Sequence, residues 1–332
     1  MAMLWLHIIQ YSGFSLAQLT NALLIYLILT RSGKLFGSYR YVMIVFAVCS
    51  MIYSIVEVFT EAVIHIKGPV FIVFMDNAWL TRTGWGNEVT TLYCASFALV
   101  ISLLAVQFFY RYVVTCKPIL SNQIEGKRLT LLFIPCLVCF VLWFELVYFG
   151  MANTVEKQEY MREELKVHYN VDSRNLAFIA PMYWSTGNNG EKKWNILDCI
   201  GSLGCAAIIT VCLSTIIFCA WNIYSFLKKS QSQMSPKTLE MNRQFFRTLT
   251  FQTLFPFFTL YSQVGLLLLL PVFEVYVAGM ANSASACVAV YPCLEPLIAI
   301  FCIKPFRRTV MCDKRRKVNS CTTDGFSAHR PL

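Results

Sequence analysis

The sequence predicts an all-α membrane protein whose fold is a bundle of seven transmembrane helices. Hydrophobic residues make up 57% of the 332 residues and charged residues only 14%, whereas soluble domains carry about 25% charged residues. Seven apolar segments each exceed the ~20 residues that a helix needs to cross ~30 Å of hydrocarbon. This composition excludes a disordered chain, a collagen and an ordinary cytosolic enzyme.

The seven segments follow one another along most of the chain. Each must be helical within the bilayer, because unpaired backbone groups there cost several kcal/mol each. The helical bundle should occupy residues 1–310, with a long polar loop at 152–195 and a basic tail at 304–332. The predicted helices cover about residues 6–30, 41–65, 89–114, 129–151, 196–227, 248–271 and 279–303.

Basic residues predict which side of the membrane each loop faces. With the N-terminus outside, the cytoplasmic loops and the tail carry 20 of the 28 Lys and Arg residues. Six of the other eight lie in the loop 152–195, where six acidic residues balance them. The positive-inside rule therefore predicts an extracellular N-terminus and a cytoplasmic C-terminus. It also explains the net charge of +10 without nucleic acid as a partner.

The loop 152–195 has two different halves. Residues 156–167 are rich in charge and lack Gly and Pro, which favours a short surface helix. Residues 185–190 read Ser-Thr-Gly-Asn-Asn-Gly, the composition of a turn or hairpin. The loop is either a lid over an extracellular mouth or a solvated connector.

Acidic residues in the second predicted helix mark a candidate ligand-binding region, because charge inside a membrane is costly. Glu57 and Glu61 share one helical face, which His65 extends by another turn. At 1.5 Å per residue they lie ~24 Å and ~30 Å from the cytoplasmic start of the helix. They either form a polar wall of an outer cavity or bond to neighbouring helices.

Prolines in the last two helices predict kinks on which a bundle could pivot, since each removes a backbone donor. Pro256 lies in the sixth helix, and Pro292 and Pro296 lie in the seventh. Tyr291 and Glu295 place polar groups at the second kink, near the cytoplasmic end.

The cytoplasmic ends of the helices form a basic and partly apolar surface that suits an effector protein. Arg111 ends the third helix, where it can snorkel to water, contact a partner or lock helices together. Lys304-Pro305-Phe306 begins a short interfacial amphipathic helix, and nearby Cys312 is a candidate palmitoylation site.

The sequence has no signature of catalysis. Metalloprotease, nucleotide-binding and serine-hydrolase motifs are absent, and the four histidines are scattered. We therefore predict no catalytic residues, no metal site and no cofactor.

Six short motifs in order resemble the nematode chemosensory receptors of the serpentine class r (str-type) group, which includes the diacetyl odorant receptor. The match runs from about residue 10 to 310. Glu295 departs from the family pattern, which usually has Asp there. The matching motifs are residues 37–43 with Tyr53 and Glu57, Phe109-Tyr110-Arg111-Tyr112 with Cys116-Lys117-Pro118, His168-Tyr169-Asn170, residues 249–256, residues 291–297, and Phe306-Arg307-Arg308.

This resemblance implies a GPCR-like chemoreceptor of the plasma membrane, displayed on sensory cilia. It implies a small odorant or other chemical ligand, a heterotrimeric G protein and possible receptor oligomers as partners. Arg111 and Tyr112 would form the coupling-side pair, although Tyr110 replaces the acid that precedes the Arg of rhodopsin-like receptors. The other candidate coupling residues are Lys117, Pro118, Ile119, Leu120 and Arg247.

A ligand in the outer half of such a bundle would contact the second, third, fifth, sixth and seventh helices. Cys94 and Cys199 are the candidate disulfide pair, because the loop 152–195 contains no Cys. A seven-helix ligand-gated channel and a small-molecule transporter remain the alternatives. The candidate ligand-binding residues are Glu57, Glu61, Cys94, Phe97, Phe257, Tyr261 and Asn282.

Overall fold

The computed structural model describes residues 3–32, 36–121, 124, 126–187, 190–229 and 235–311. Within these residues, seven helices are long and apolar enough to cross a membrane, as the sequence predicts. They are called the first to the seventh span below. The spans are Leu4–Arg31, Tyr39–Thr60, Gly86–Cys116, Arg128–Gly150, Ile196–Lys229, Pro236–Phe273 and Asn282–Cys302.

The third span stands at the centre of the bundle. In its most apolar 18-residue window 78% of the residues are buried, against 17% for the fourth span at the periphery. Small residues let neighbouring spans approach closely. A Cβ on Gly13 would lie 2.5 Å from the Ala289 carbonyl oxygen, and one on Gly201 would lie 2.9 Å from that of Leu146. The first span therefore packs tightly on the seventh, and the fourth on the fifth.

The second span ends at Thr60, so the predicted helix over 41–65 is too long. Glu61 takes a left-handed conformation with φ of 46°, which terminates the helix. The chain continues as strand β1 (Ala62–Lys67), turns at Gly68 and returns as β2 (Val70–Met75). His65 therefore lies on a strand and does not extend the helical face of Glu57 and Glu61.

A three-stranded antiparallel sheet covers one end of the bundle. Strand β2 pairs with β1 and with β3 (Phe178–Ile179), which the long loop supplies. Both faces of the sheet are buried, which explains why its strands read as continuous apolar runs. We call this the capped end. The opposite end, where a short helix over Lys304–Val310 follows the seventh span, is the tail end.

The long loop has the two elements that its composition indicates. A loop helix covers Val155–Tyr169, and β4 (Trp184–Thr186) pairs with β5 (Lys192–Trp194) as a hairpin. The loop helix packs Met161 and Leu165 onto the sheet. The sheet thus lies between the loop helix and the bundle.

The sixth span begins at Pro236, well before the predicted residue 248. Ser235 caps it, since its hydroxyl accepts a hydrogen bond from the backbone of Thr238 at 3.2 Å. The first turns are polar, so hydropathy alone misses them. Directly after Pro256 the helix widens into a π-helical turn over Phe257–Tyr261. The missing N–H of a proline favours such an irregular turn.

Candidate functional site

A partly open, apolar cavity of about 80 Å³ lies inside the bundle below the sheet. Among the described residues, its wall is mostly carbon, apart from one amide, two thiols, one thioether, the Trp143 indole and the tyrosine hydroxyls. Enclosed apolar pockets with few polar groups are typical of small-molecule sites. The cavity is lined by Tyr53, Ile64, Phe71, Val73, Tyr93, Cys94, Phe97, Trp143, Val147, Met151, Ile179, Cys205, Gln263, Val264, Leu267, Leu268, Ala284 and Val288.

Aromatic rings define the shape of this cavity. The Phe97 ring packs on Trp143 with centroids 5.5 Å apart and on Tyr261 at 5.9 Å. Tyr53 and Tyr93 are nearly parallel, with centroids 6.3 Å apart. These rings come from four different spans, so the cavity exists only in the assembled bundle.

The sheet forms the roof of the cavity, and the seventh span holds it in place. Asn282 accepts a hydrogen bond from the Ile64 backbone at 3.0 Å. Ser285 donates to the Ala62 carbonyl oxygen at 2.6 Å. The first strand is therefore fixed at two points.

Only some of the predicted ligand-binding residues line the cavity. Cys94 and Phe97 line the cavity, and Tyr261 supports it by packing against Phe97. Asn282 binds the roof strand instead of facing the cavity. Phe257 is 42% exposed on the outside of the bundle, because the π-helical turn rotates it away from the core.

The two glutamates of the second span also lie outside the cavity wall. Glu61 accepts a hydrogen bond from the Tyr11 hydroxyl and ends the helix. Glu57 is fully buried, and neither of its carboxylate oxygens has a hydrogen-bond partner of standard geometry among the described residues. Glu61 therefore contacts the first span, and neither glutamate is among the described residues that line the cavity.

Cys94 and Cys199 do not form the predicted disulfide. Both are free thiols, and the sulfur of Cys199 lies 3.7 Å from the Tyr183 carbonyl oxygen. Cys94 instead faces the cavity from the third span. The two cysteines point toward different neighbours.

One carboxylate at the capped end connects the loop helix, strand β1 and the segment before the seventh span. Glu164 of the loop helix accepts hydrogen bonds from His65 at 3.1 Å and from Tyr276 at 2.9 Å. His168 lies 3.1 Å from the same oxygen, and Lys67 lies 3.6 Å from the other. We call these five residues the Glu164 latch, since they tie the loop helix to β1 and to the segment before the seventh span.

The environment of the latch shifts the pKa of two members. Burial lowers the pKa of His65, although the hydrogen bond to Glu164 opposes this shift. Burial by itself would raise the pKa of Glu164. Hydrogen bonds from Tyr276 and His65 and the charge of Lys67 outweigh burial, so that pKa is lowered. The latch is therefore most stable with a neutral imidazole at His65 and an ionised carboxylate.

Arg111 is buried at the tail end and clamps three spans together. Its guanidinium donates to the Asn242 side chain at 2.6 Å. It also lies over the rings of Phe245 at 4.4 Å and Tyr39 at 5.1 Å. Of the three roles that the sequence left open, the structure has the lock between helices. We call Arg111, Asn242, Phe245 and Tyr39 the Arg111 clamp.

The other predicted coupling residues differ in their exposure. Tyr112 packs edge-on against Phe218 of the fifth span, with centroids 5.8 Å apart. Lys117, Ile119 and Leu120 are exposed on or beside the short helix Pro118–Ser121, and Ile119 is 85% exposed. Arg247 is exposed over the Phe251 ring. Cys312 lies outside the described residues.

The kink of the seventh span forms a polar hub in the core. Glu295 is buried, accepts a hydrogen bond from Tyr291, and lies 3.4 Å from the Ser50 hydroxyl. Pro296 cannot bond to the carbonyl of Pro292 one turn back. Asn21 of the first span donates to that carbonyl oxygen at 2.9 Å instead.

The polar hub also reaches the sixth span. Gln252 donates to the Glu295 carbonyl oxygen at 3.1 Å, one turn before Pro256. The two kinked helices are thus joined directly below the cavity.

A family model described as serpentine type 7TM GPCR chemoreceptor Str matches residues 6–311. The chain belongs to this family. It is 29% identical to serpentine receptor class r-10 of Caenorhabditis elegans, over 95% of this chain and 94% of that protein. It is 28% identical to class r-10 of Caenorhabditis briggsae, over 92% and 90%. It is 26% identical to G-protein coupled receptor str-33 of Caenorhabditis elegans, over 89% and 86%.

Membership confirms the resemblance stated from the motifs. The family is one of chemosensory receptors and not of enzymes, and the chain is a multi-pass membrane protein. The receptor also has functional features that sequence reasoning missed. The roof hairpin had a signal in Lys67-Gly68-Pro69 between two apolar runs. Asn242 had none, because it is a lone polar residue far along the chain from Arg111.

Proposed function

We propose that the receptor binds a small molecule in the roofed cavity and activates a heterotrimeric G protein at its tail end. The capped end would then face outside the cell and the tail end the cytoplasm. The excess of basic residues in the tail-end loops supports this orientation. The small, apolar cavity supports a small and mostly apolar ligand.

One observation carries this proposal. The sixth span reaches from the cavity to the Arg111 clamp as a single element, Pro236–Phe273. Near the capped end it lines the cavity through Gln263 and Leu267. Near the tail end it holds Arg111 through Asn242. A ligand in the cavity therefore touches the same helix that closes the opposite end.

The sixth span also has a place at which it can bend. Pro256 and the π-helical turn Phe257–Tyr261 lie between the cavity and the clamp. We call the state in which the sixth span bends and the Arg111 clamp is released the open state. A ligand that binds this state more tightly than the closed state shifts the equilibrium toward it by the difference in affinity. Opening would release Arg111 and expose it, with Tyr112, beside the basic and apolar surface of Lys117, Ile119 and Arg247.

The test is the substitution Asn242→Ala, read as G-protein activation in cells without added ligand. A hydrogen bond to a charged group contributes roughly 1.5–3 kcal/mol, and 1.4 kcal/mol corresponds to about tenfold in an equilibrium. We expect basal activation to rise by about tenfold. Asn222→Ala is the matched control, because the Asn222 amide bonds only within its own helix, to Phe218 at 2.8 Å.

Three results would contradict the proposal. Unchanged basal activity in Asn242→Ala, with normal surface expression, would show that the clamp does not restrain coupling. An ionic current that survives G-protein blockade, with an N-terminal tag inside the cell, would favour a ligand-gated channel. Substrate accumulation would favour a transporter.

A further inference from the structure

Gln263 is the single amide in the wall of the cavity. It lies in the first turn of regular helix after the π-helical segment, opposite Cys287 of the seventh span. Its side-chain nitrogen donates to the Cys287 sulfur at 3.6 Å. Its amide oxygen is buried and has no hydrogen-bond partner among the described residues.

A buried carbonyl oxygen without a donor is unfavourable, because it has lost water and gained nothing in exchange. A trapped water would itself need two to four polar partners. The surrounding wall offers carbon from Val264, Leu267, Ala284 and Val288. The missing donor is therefore best supplied by a ligand.

The rest of the wall limits that ligand further. Among the residues that the structure describes, no Asp, Glu, Lys or Arg lines the cavity, so a charged ligand would be desolvated without compensation. A volume of about 80 Å³ is smaller than the ~150 Å³ apolar cavity that holds benzene. The comparison therefore sets an upper limit of about six non-hydrogen atoms, the size of benzene.

We propose that the cavity selects a small neutral alcohol, whose hydroxyl donates to the Gln263 amide oxygen and whose alkyl chain packs among Phe97, Trp143 and Leu267. This rests on the proposed function for its biological meaning, but not for its binding. The Trp143 indole N–H in the same wall is also buried without a partner among the described residues, so a carbonyl oxygen could accept from it. A ketone or aldehyde of the same size has acceptors only, however, and still leaves the Gln263 amide oxygen unpaired, whereas a hydroxyl can donate as well as accept. Sites built to bond a hydroxyl reject analogues that lack it.

The experiment compares 1-pentanol with 2-pentanone on the purified full-length receptor in nanodiscs, with no G protein present. Binding is measured by saturation-transfer NMR titration, and folding by the thermal unfolding midpoint. We expect at least tenfold tighter binding of 1-pentanol. In Gln263→Met, which keeps the side-chain length, we expect the two affinities to become equal.

Ser262→Ala is the matched control, because its hydroxyl bonds within its own helix to Phe258 and it does not line the cavity. This variant should keep the wild-type preference. Equal affinities in the wild type, a ratio unchanged by Gln263→Met, or no saturable binding of 1-pentanol would each overturn the inference. Because no G protein takes part, a failure of coupling in cells leaves this result intact, and the reverse also holds.

Discussion

Lys157 and Asp198 form a buried ion pair between the loop helix and the fifth span. The Lys157 ammonium lies 2.7 Å from the Asp198 carboxylate and donates to the Ala152 carbonyl oxygen at 2.9 Å. Burial lowers the pKa of Lys157, and Asp198 opposes this shift. Such a pair contributes little net stability when intact, yet breaking it leaves an uncompensated charge.

We expect Lys157→Met to destabilise the receptor by about 3–5 kcal/mol, because Asp198 stays buried without its cation. The double variant Lys157→Met with Asp198→Leu should recover most of that loss. Thermal unfolding of the purified receptor measures both. Lys193→Met, at an exposed lysine of β5, is the control and should change nothing. A double variant as unstable as the single one would refute this account.

Arg111 shows at the same scale how one side chain has several roles open to it until the fold is known. At a helix end it could snorkel to water as easily as bind a neighbour. Only the position of Asn242, 131 residues along the chain, makes it a lock between helices.

Among the elements, the roof sheet and the loop helix depend on each other. The sheet carries apolar side chains on both faces, and the loop helix covers the face away from the cavity. Their polar connection is the Glu164 latch. Its stability should therefore control how readily the cavity opens.

The latch should weaken in mild acid. The pKa of His65 is lowered by burial from its ordinary value of 6.5, so folding favours the neutral imidazole. The stability from neutral His65 is full above about pH 6.5 and falls as the pH drops below that value. The pKa of Glu164 is lowered from 4.5, so its contribution persists until the pH falls below that value. We expect faster hydrogen exchange of residues 155–169 at pH 5.5 than at pH 7.5, after correction for intrinsic rates.

The control for this effect is His65→Gln, which keeps a donor for Glu164 but cannot titrate in this range. Its exchange over residues 155–169 should no longer depend on pH between 7.5 and 5.5. His7→Gln, at a histidine paired with Asp76 outside the latch, should keep the wild-type dependence. If hydrogen exchange over residues 155–169 still depends on pH in His65→Gln, a group other than His65 causes the dependence.

At the scale of the whole molecule, the sixth span connects the cavity to the clamp, and we propose that it couples them. Coupling between two sites is reciprocal in binding free energy. A change that opens the tail end must therefore favour the ligand-bound form of the cavity. The polar hub around Glu295 joins the sixth and seventh spans through the hydrogen bond from Gln252.

Asn242→Ala should consequently tighten ligand binding as well as raise basal activity. If the open state binds the ligand better, the apparent affinity is reduced by the free-energy cost of opening. Removal of the clamp lowers that cost. Ligand affinity measured without G protein should increase by at most the factor by which basal activity rises. Weaker binding in this variant would mean that the closed state is the one that holds the ligand.

Hydropathy, charge and turn residues were enough to predict the seven spans and the charged loop helix, and the family was predicted from the resemblance of six short motifs. The spans and the loop helix follow from hydropathy and charge within short segments, because membrane insertion and helix formation depend on local sequence. Three predictions based on local pattern were wrong. The second helix was predicted to continue past Glu61, but it ends at Thr60. The sixth was predicted to begin at residue 248, but it begins at Pro236. Cys94 and Cys199 were predicted to form a disulfide, but both are free thiols. In each case a strand, a cap or a neighbouring helix overrode the pattern.

The sequence by itself determined that this chain crosses the membrane seven times and belongs among serpentine chemoreceptors. Only the tertiary structure decided where the cavity lies and which residues hold Arg111 at the tail end. The cavity, the roof and the clamp each combine residues from several elements that are distant in the chain. Their positions follow from helix packing and long-range hydrogen bonds, for which no local pattern carries a signal.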